Sequence, residues 1–523
     1  MSLSGRSRQL STAISGVSVS EGPPRAFWLI SALLIGLFWS LAALKHHLLY
    51  SSGWDLGIYD QVAWQMSQGL EPRSTLLDLH HMGNHGAWMF YAIAPLYWLA
   101  PSVQWLFFTQ ALGLIITAWP LWHLGRQAGL RPRQQWLTCG LWWLQPVVFN
   151  VNLFDFHPET WAMPLLALAI WANRAERRWL WLIALFAAMG CRDGLTLIVM
   201  GLALEQALRR RWRWAVGALL AGGGWLLFLA AGLYPMLNKG VGVAAVSRYS
   251  HLCEGGCEGA GSIIPSALLD PIYFLGALNW GGIVRYLLML ALPLIITWRL
   301  RSLPMLAATL PLLAANTLSS WSSQQDVSHQ YSLPLAVPLV VASIDGLAGD
   351  RLQRRFWLLH NLWAGYLWAA LCWAGLTQSH SQAFFGRYLA RADHIQAAQE
   401  AVAQIPVDAG VLTTNHLIPH VSQRRVIQGL FAALVSTDSG PTENSLAPMI
   451  LNSTATGGVI LTAEQIAQDG LTTALLSRQD DGAYRRPDGL NVPEITAATI
   501  PWLEGFGWVC EEANHAFVIC RQP

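Results

Sequence analysis

The feature that most constrains this chain is a succession of apolar runs, each near the length needed to cross about 30 Å of hydrocarbon. They lie at roughly 26–44, 103–124, 135–152, 159–174, 213–235, 282–299, 303–318, 331–348 and 355–377. Two shorter runs, 178–190 and 194–207, flank a polar break at Cys191-Arg192-Asp193-Gly194. With 54% hydrophobic residues, 12% charged and 28 Trp in 523, the chain is too apolar for an ordinary soluble protein. It reads as a mostly α, polytopic membrane bundle. No basic stripe interleaved with aromatics lies outside the runs, which argues against a nucleic-acid partner. The first run follows a head with Arg6, Arg8 and Arg25 and lacks a small-residue cleavage site, so a retained signal-anchor is expected.

Basic residues orient the bundle. Clusters at Arg6/Arg8/Arg25, Arg126/Arg131/Arg133, Arg174/Arg177/Arg178, Arg209/Arg210/Arg211/Arg213, Arg299/Arg301 and Arg351/Arg354/Arg355 hold 18 of the 32 Lys and Arg. All six fall on one side only if the short, proline-interrupted run 87–100 does not cross. That run is therefore expected to lie in the outer interface, beside eleven crossings. Residues 1–25 become a cytoplasmic tail, and 26–378 the membrane domain of an inner-membrane protein. The 45–102, 236–281 and 319–330 loops fall on the non-cytoplasmic face.

From about Ser379 the long apolar runs stop. A helix over 385–404, strands over 409–414 and 457–461, a helix over 463–476 and a hairpin over 508–521 predict a small extracytoplasmic α/β domain, 379–523. Cys253/Cys257 and Cys510/Cys520 are placed for disulfides in an oxidising compartment. The Cys-x3-Cys spacing is also a weak zinc signal.

Polar residues beside membrane helices are expensive unless they meet water, a partner or a substrate. Asp55 and Asp60 stand in Trp54-Asp-Leu-Gly-Ile-Tyr-Asp-Gln61, around Tyr59, in a loop that also holds His46, His47, His80, His81 and His85. Glu71 and Asp78 of that loop read as solvated helix caps. Asp155, His157 and Glu159 share the turn Phe154–Glu159, where carboxylate and imidazole suit a divalent cation or a proton. There Asp155 can instead cap the helix that Pro158 begins. Arg192 and Asp193 either pair with each other or face a substrate. Gln325, Asp326, His329 and Tyr331 precede a further crossing, where loop solvation is the alternative.

The order Trp54–Gln61, His85 leading into Ala94-Pro-Leu-Tyr97, Phe154–Glu159, Arg192–Gly194, His329–Ser332 and Ile405–His420 resembles a bacterial family of predicted membrane proteins of unknown function. That family is similar in architecture to the GT-C glycosyltransferases, which use polyprenyl-phosphate-linked sugars. The resemblance implies a glycosyltransferase that moves a sugar to an envelope acceptor, with Asp55 in the first acidic motif and Asp155 in the second. Asp55 would then act as base or hold Mg or Mn together with His157 and Glu159. Asp60, Tyr59, His85, Arg192, Asp193, Arg248, His329 and Tyr331 would meet substrate, the arginines through phosphate. Two departures stand out: Asp55 has no adjacent second acid, and Arg192-Asp193 replaces a Lys-containing turn. A transporter or flippase is the alternative, disfavoured because the charges gather on one face; a non-catalytic envelope scaffold is another.

Overall fold

The computed structural model describes residues 22–238, 244–257, 259–348, 362–377, 392–436, 444–451, 458–479 and 491–523. Arg6, Arg8, the Arg351/Arg354/Arg355 cluster, residues 355–361 of the last apolar run and 385–391 of the expected helix lie outside them.

Among the described residues, four helices are long and apolar enough to cross a membrane: Arg25–His47, Gln104–Gln127, Trp212–Leu237 and Gln330–Ala348. Other apolar runs are shorter or interrupted. The expected span 135–152 divides into Pro132–Trp143 and Pro146–Phe154, and 303–318 into Leu303–Ala307 and Leu310–Leu318. Each second piece carries proline in its first turn, where a missing N–H and a fixed φ start a helix but cannot continue one. Trp88–Leu99 spans only twelve residues, 3-10 then α, too short to cross. The helices pack around one apolar core, and many outward side chains are exposed hydrophobics such as Leu33, Trp179 and Leu220. That inversion suits lipid as solvent.

The C-terminal region is a seven-stranded sheet in the order β6-β5-β4-β3-β7-β9-β8. Its strands are β3 (Val411–Thr413), β4 (Ile427–Ser436), β5 (Asn444–Leu451), β6 (Gly458–Ile460), β7 (Thr473–Ser477), β8 (Val509–Glu512) and β9 (Phe517–Arg521). The short loop pair β1 (Arg73–Ser74) and β2 (Leu79–His80) stands apart. Strand β3 runs parallel to β4 and β7, and the remaining pairs are antiparallel.

The expected 463–476 helix is corrected. It stops at Asp469 because Gly470 takes a left-handed conformation (φ 68°), and the amides of Gly470 and Leu471 turn back onto Ala467 and Ile466. The chain then enters β7, buried at every position. Strands β4 and β5 and the helix Val492–Gly505 were not expected. Both cysteine pairs are disulfides; Cys510 and Cys520 face each other across β8 and β9.

The sheet does not hang free. Leu49, Ile58 and Leu76 of the 45–102 loop share a buried cluster with Val411, Ile418, Ile427 and Phe517. A Cβ on Gly53 would lie 2.5 Å from Ile418, and one on Gly57 2.6 Å from it. Only glycine permits that approach, so the loop motif is shaped by the domain that covers it.

Candidate active site

Asp55 is carried by one π-helical turn, Gly53–Gly57, held at its start by Ser52, whose hydroxyl accepts from the Trp54 amide. The Gly53 amide donates to Asn415 Oδ1 (2.8 Å), and the Trp54 ring stacks on Phe431, so the sheet domain fixes the turn from above.

From below comes the Phe154–Glu159 turn. Asp155 has φ 144° and ψ −177°, a conformation almost confined to glycine, and such strain persists only where surroundings enforce it. The enforcement is visible: Lys45 donates to Asp155 Oδ1 and to the Phe154 carbonyl, each 2.9 Å, and the Ser52 amide donates to Asp155 Oδ2 at 2.8 Å. Asp155 therefore does not cap the following helix, which starts after Pro158 without a side-chain cap. The strain points His157 upward, with Nε2 3.1 Å from Asp55 Oδ1 and Nδ1 3.3 Å from the Asp155 carbonyl. A carbonyl and a carboxylate both accept, so this geometry suits a doubly protonated imidazolium.

The electrostatics agree. Burial disfavours charge on Asp55, but the hydrogen bond and charge of His157, with Lys45 and Arg192 beyond, hold its carboxyl below the ordinary value. Burial also opposes charge on His157, and Asp55 outweighs it, raising the imidazole. Asp155 goes the other way: burial lifts its carboxyl above the usual range despite Lys45. Exposure separates the acids further. The Asp55 side chain is 24% exposed, those of Asp155 and Glu159 2% and 3%. Asp55 is the most open of the three.

Beside the turn lies a cavity of about 260 Å³ whose polar lining includes His85, Glu159, Arg192, Asp193, Arg248 and Tyr331. Leu195, Leu197, Leu226, Leu312 and Pro334 give it apolar walls. Arg192 pairs with Glu159 at 2.5 Å and lies over the Tyr331 ring. Asp193 is 3.3 Å from His85 Nδ1 and accepts from Tyr234 (2.8 Å) and the Gly194 amide (2.8 Å). Burial opposes its charge, but His85, Arg192 and Tyr234 bring its carboxyl down to about 2. Burial first, then Arg192, lowers His85 below the ordinary imidazole value. Thus Arg192 and Asp193 turn to separate partners. Arg248 stacks on Trp321 (3.9 Å), lies 5.6 Å from the Tyr331 ring and touches Gln324 (3.4 Å); among the described residues no carboxylate pairs with it.

Other expected residues sit outside this cavity. Asp60 accepts from Tyr97 (2.7 Å), Ser422 (2.6 Å) and Gln423 (3.1 Å), tying the helix Ala94–Leu99 to the sheet domain. Burial raises its carboxyl despite these bonds. Tyr59 is buried against Phe90 and Phe156, its ring 6.3 Å from that of His157. His329 meets Asp326 (2.7 Å) and stands edge-on to Phe154. The Asp55, His157 and Glu159 ligand set does not assemble: the first two face each other and Glu159 faces Arg192. Among the described residues no three His, Cys, Asp or Glu side chains could hold a metal ion. With Cys253 and Cys257 bonded to each other, that motif offers zinc no thiolate.

Sequence reasoning missed Lys45, Tyr234, Asn415 and Gln324. Lys45 carried a usable signal, a lone cation at the end of an apolar run.

The fold is that of a polytopic membrane protein of GT-C-like architecture. Residues 45–456 match the family described as Predicted membrane protein (DUF2079), and the chain belongs to that family. No curated protein is significantly similar in sequence. Among solved structures, ArnT from Cupriavidus metallidurans bound to undecaprenyl phosphate is 12% identical, aligned over 95% of this chain and 98% of that one with TM-score 0.55. Its apo state is 13% identical over 93% and 97%, with TM-score 0.46. At such identity the likeness concerns the fold.

Proposed function

We propose that this protein transfers a sugar from a polyprenyl-phosphate carrier to an envelope acceptor on the non-cytoplasmic face of the inner membrane. The observation that carries the reading is an arginine without a carboxylate partner among the described residues, Arg248, lining a cavity with apolar walls that Glu159 also lines, two residues along the turn from His157, the partner of the part-exposed Asp55. A cation above an apolar channel suits an amphiphile with an anionic head.

In the reaction, Asp55 accepts the proton of the acceptor hydroxyl as its oxygen bonds to the anomeric carbon. The bond from that carbon to the phosphate oxygen breaks, and its electron pair stays on the phosphate. Arg248 and Arg192 meet the added negative charge. Lys45 and Asp155 hold His157, and His157 holds Asp55. No step runs through the divalent cation, because the residues expected to bind it are engaged elsewhere. The test is incorporation of labelled sugar from a polyprenyl-phosphate donor by the full-length protein in lipid. Wild type transfers and Asp55→Asn does not; equal transfer by both at equal expression refutes the reading.

A further inference from the structure

A second cavity, about 180 Å³, opens between the last turn of Arg25–His47, the start of Gln104–Gln127, the helix Ala392–Ala403 and His420. It shares none of its lining with the arginine cavity. Its polar groups are His46, His47, His420, Gln104 and Gln399, and small or branched apolar side chains complete the wall.

The cavity is built to present hydrogen bonds. The His46 and His420 rings stack at 4.2 Å and 13°, which fixes both imidazoles. Buried His46 Nδ1 and His420 Nε2 have no hydrogen-bond partner among the described residues. Buried polar atoms in that state are uncommon, because each forfeits a hydrogen bond it had in water. Gln104 accepts from Trp39 through Oε1 (2.9 Å), which turns its amide hydrogens to other partners. His47 and Gln399 are exposed and form the rim.

No Lys, Arg, Asp or Glu is among the lining residues. Neighbouring Lys45 is turned to Asp155, and burial lowers His420 to about 4, so its ring is neutral near pH 7. The neutral His420 imidazole and the carboxamides each offer a donor and an acceptor, a set that matches hydroxyls. Apolar side chains between them can cover the C–H face of a ring.

We propose that this cavity is a carbohydrate subsite that takes a neutral, hydroxyl-bearing sugar ring. It sits close to the transfer site, since Ile418 of the same turn as His420 packs on Gly53 and Gly57 at the two ends of the Asp55 turn. The subsite requires binding alone, so it stands apart from whether transfer occurs.

The test is saturation-transfer NMR on the full-length protein in nanodiscs. One arm offers methyl glycosides of neutral hexoses and N-acetylhexosamines. A second offers the same sugars as glycolipid headgroups, and inorganic phosphate serves as competitor. At least one sugar is expected to give transfer at millimolar concentration, falling five-fold or more in His420→Ala and in Gln399→Ala, with no displacement by phosphate. A signal confined to glycolipids also supports the subsite and places its source in the membrane. Silence in both arms, an unchanged signal in the variants, or displacement by phosphate overturns it. Gln399 is an exposed helix residue, so Gln399→Ala decides the matter if His420→Ala does not fold. Sugar binding without any transfer activity would refute the proposed reaction and leave the subsite standing.

Discussion

Two separate clusters of charge in this bundle are built differently. In one, Arg174 meets both oxygens of Asp345 at 2.8 and 2.9 Å, and Arg209 bridges Glu205 (2.5 Å) and Asp345 (2.7 Å). Arg211 pairs with Glu176 in the same connection. Planar forks meet carboxylates edge to edge, the geometry that best offsets desolvation. In the other, Asp55 keeps an exposed edge, Arg248 meets aromatic faces, and Asp155 is held in a strained backbone conformation beside a cavity. The first arrangement holds helices together. The second leaves charge available, and such positions mark function more reliably than a count of ionisable residues does.

The contrast is broken most directly by exchanging one acid from each cluster. Asp55→Asn is expected to reduce sugar transfer by about 10²–10⁴-fold, the usual worth of a positioned proton acceptor, with little change in thermal unfolding. Asp345→Ala is expected to lower stability by about 3 kcal/mol, the low end for a broken buried pair because Asp345 and Arg209 remain 11% and 32% exposed. Turnover per folded molecule should stay at the wild-type level. If Asp345→Ala abolishes transfer in folded protein, or Asp55→Asn unfolds it, the two clusters have been assigned the wrong way round.

Arg248→Met sharpens the same division. Loss of a charge-assisted contact is worth about 1.5–3 kcal/mol, so affinity for a polyprenyl phosphate should fall roughly 10- to 100-fold. Arg211→Met, which removes a structural pair, should leave that affinity unchanged in a lipid-phosphate binding titration. A smaller effect is expected at the joint with the sheet domain. Gly53→Ala forces Ile418 to move, and such overpacking costs about 1–3 kcal/mol. Its signature is a lower unfolding temperature, partly restored by the second change Ile418→Val.

Much of this was legible in the sequence, and what was not has physical causes. Apolar runs speak to solvent, so the helical bundle and the shortness of the 88–99 helix follow from composition. Asp55 and His157 stand out because polar residues at helix ends are costly. Their pairing across 102 residues was not visible, since no local pattern encodes which loops meet. Asp60, five residues from Asp55 in the same motif, is a buried tie to Ser422 and Gln423, and no local pattern could name those distant partners. Strand β4, whose Ile427–Ser436 run lacks strict alternation, is a strand because β3 and β5 flank it. The Gly470 stop is a backbone event that helix propensity in Ala463–Leu476 concealed.

The subtlest effect should come from pH, and it bears on whether the Asp55 and His157 contact is an ion pair at all. Asp55 is depressed in the folded protein, so its contribution is complete above the unfolded value of about 4 and fades as pH falls through the folded one. His157 is raised, so its contribution is complete below about 6.5 and is lost as pH climbs through its higher folded value. Together they define a window of roughly pH 4 to 6.5 in which the pair stabilises most. The unfolding-temperature gap between wild type and His157→Gln should therefore be larger at pH 5.5 than at pH 8.5. The corresponding gap for Asp345→Ala should not shrink over that interval, because its cations are arginines, which keep their protons throughout. A His157→Gln gap that is flat across the same range would mean a neutral imidazole, and Asp55 would then be held by hydrogen bonding alone.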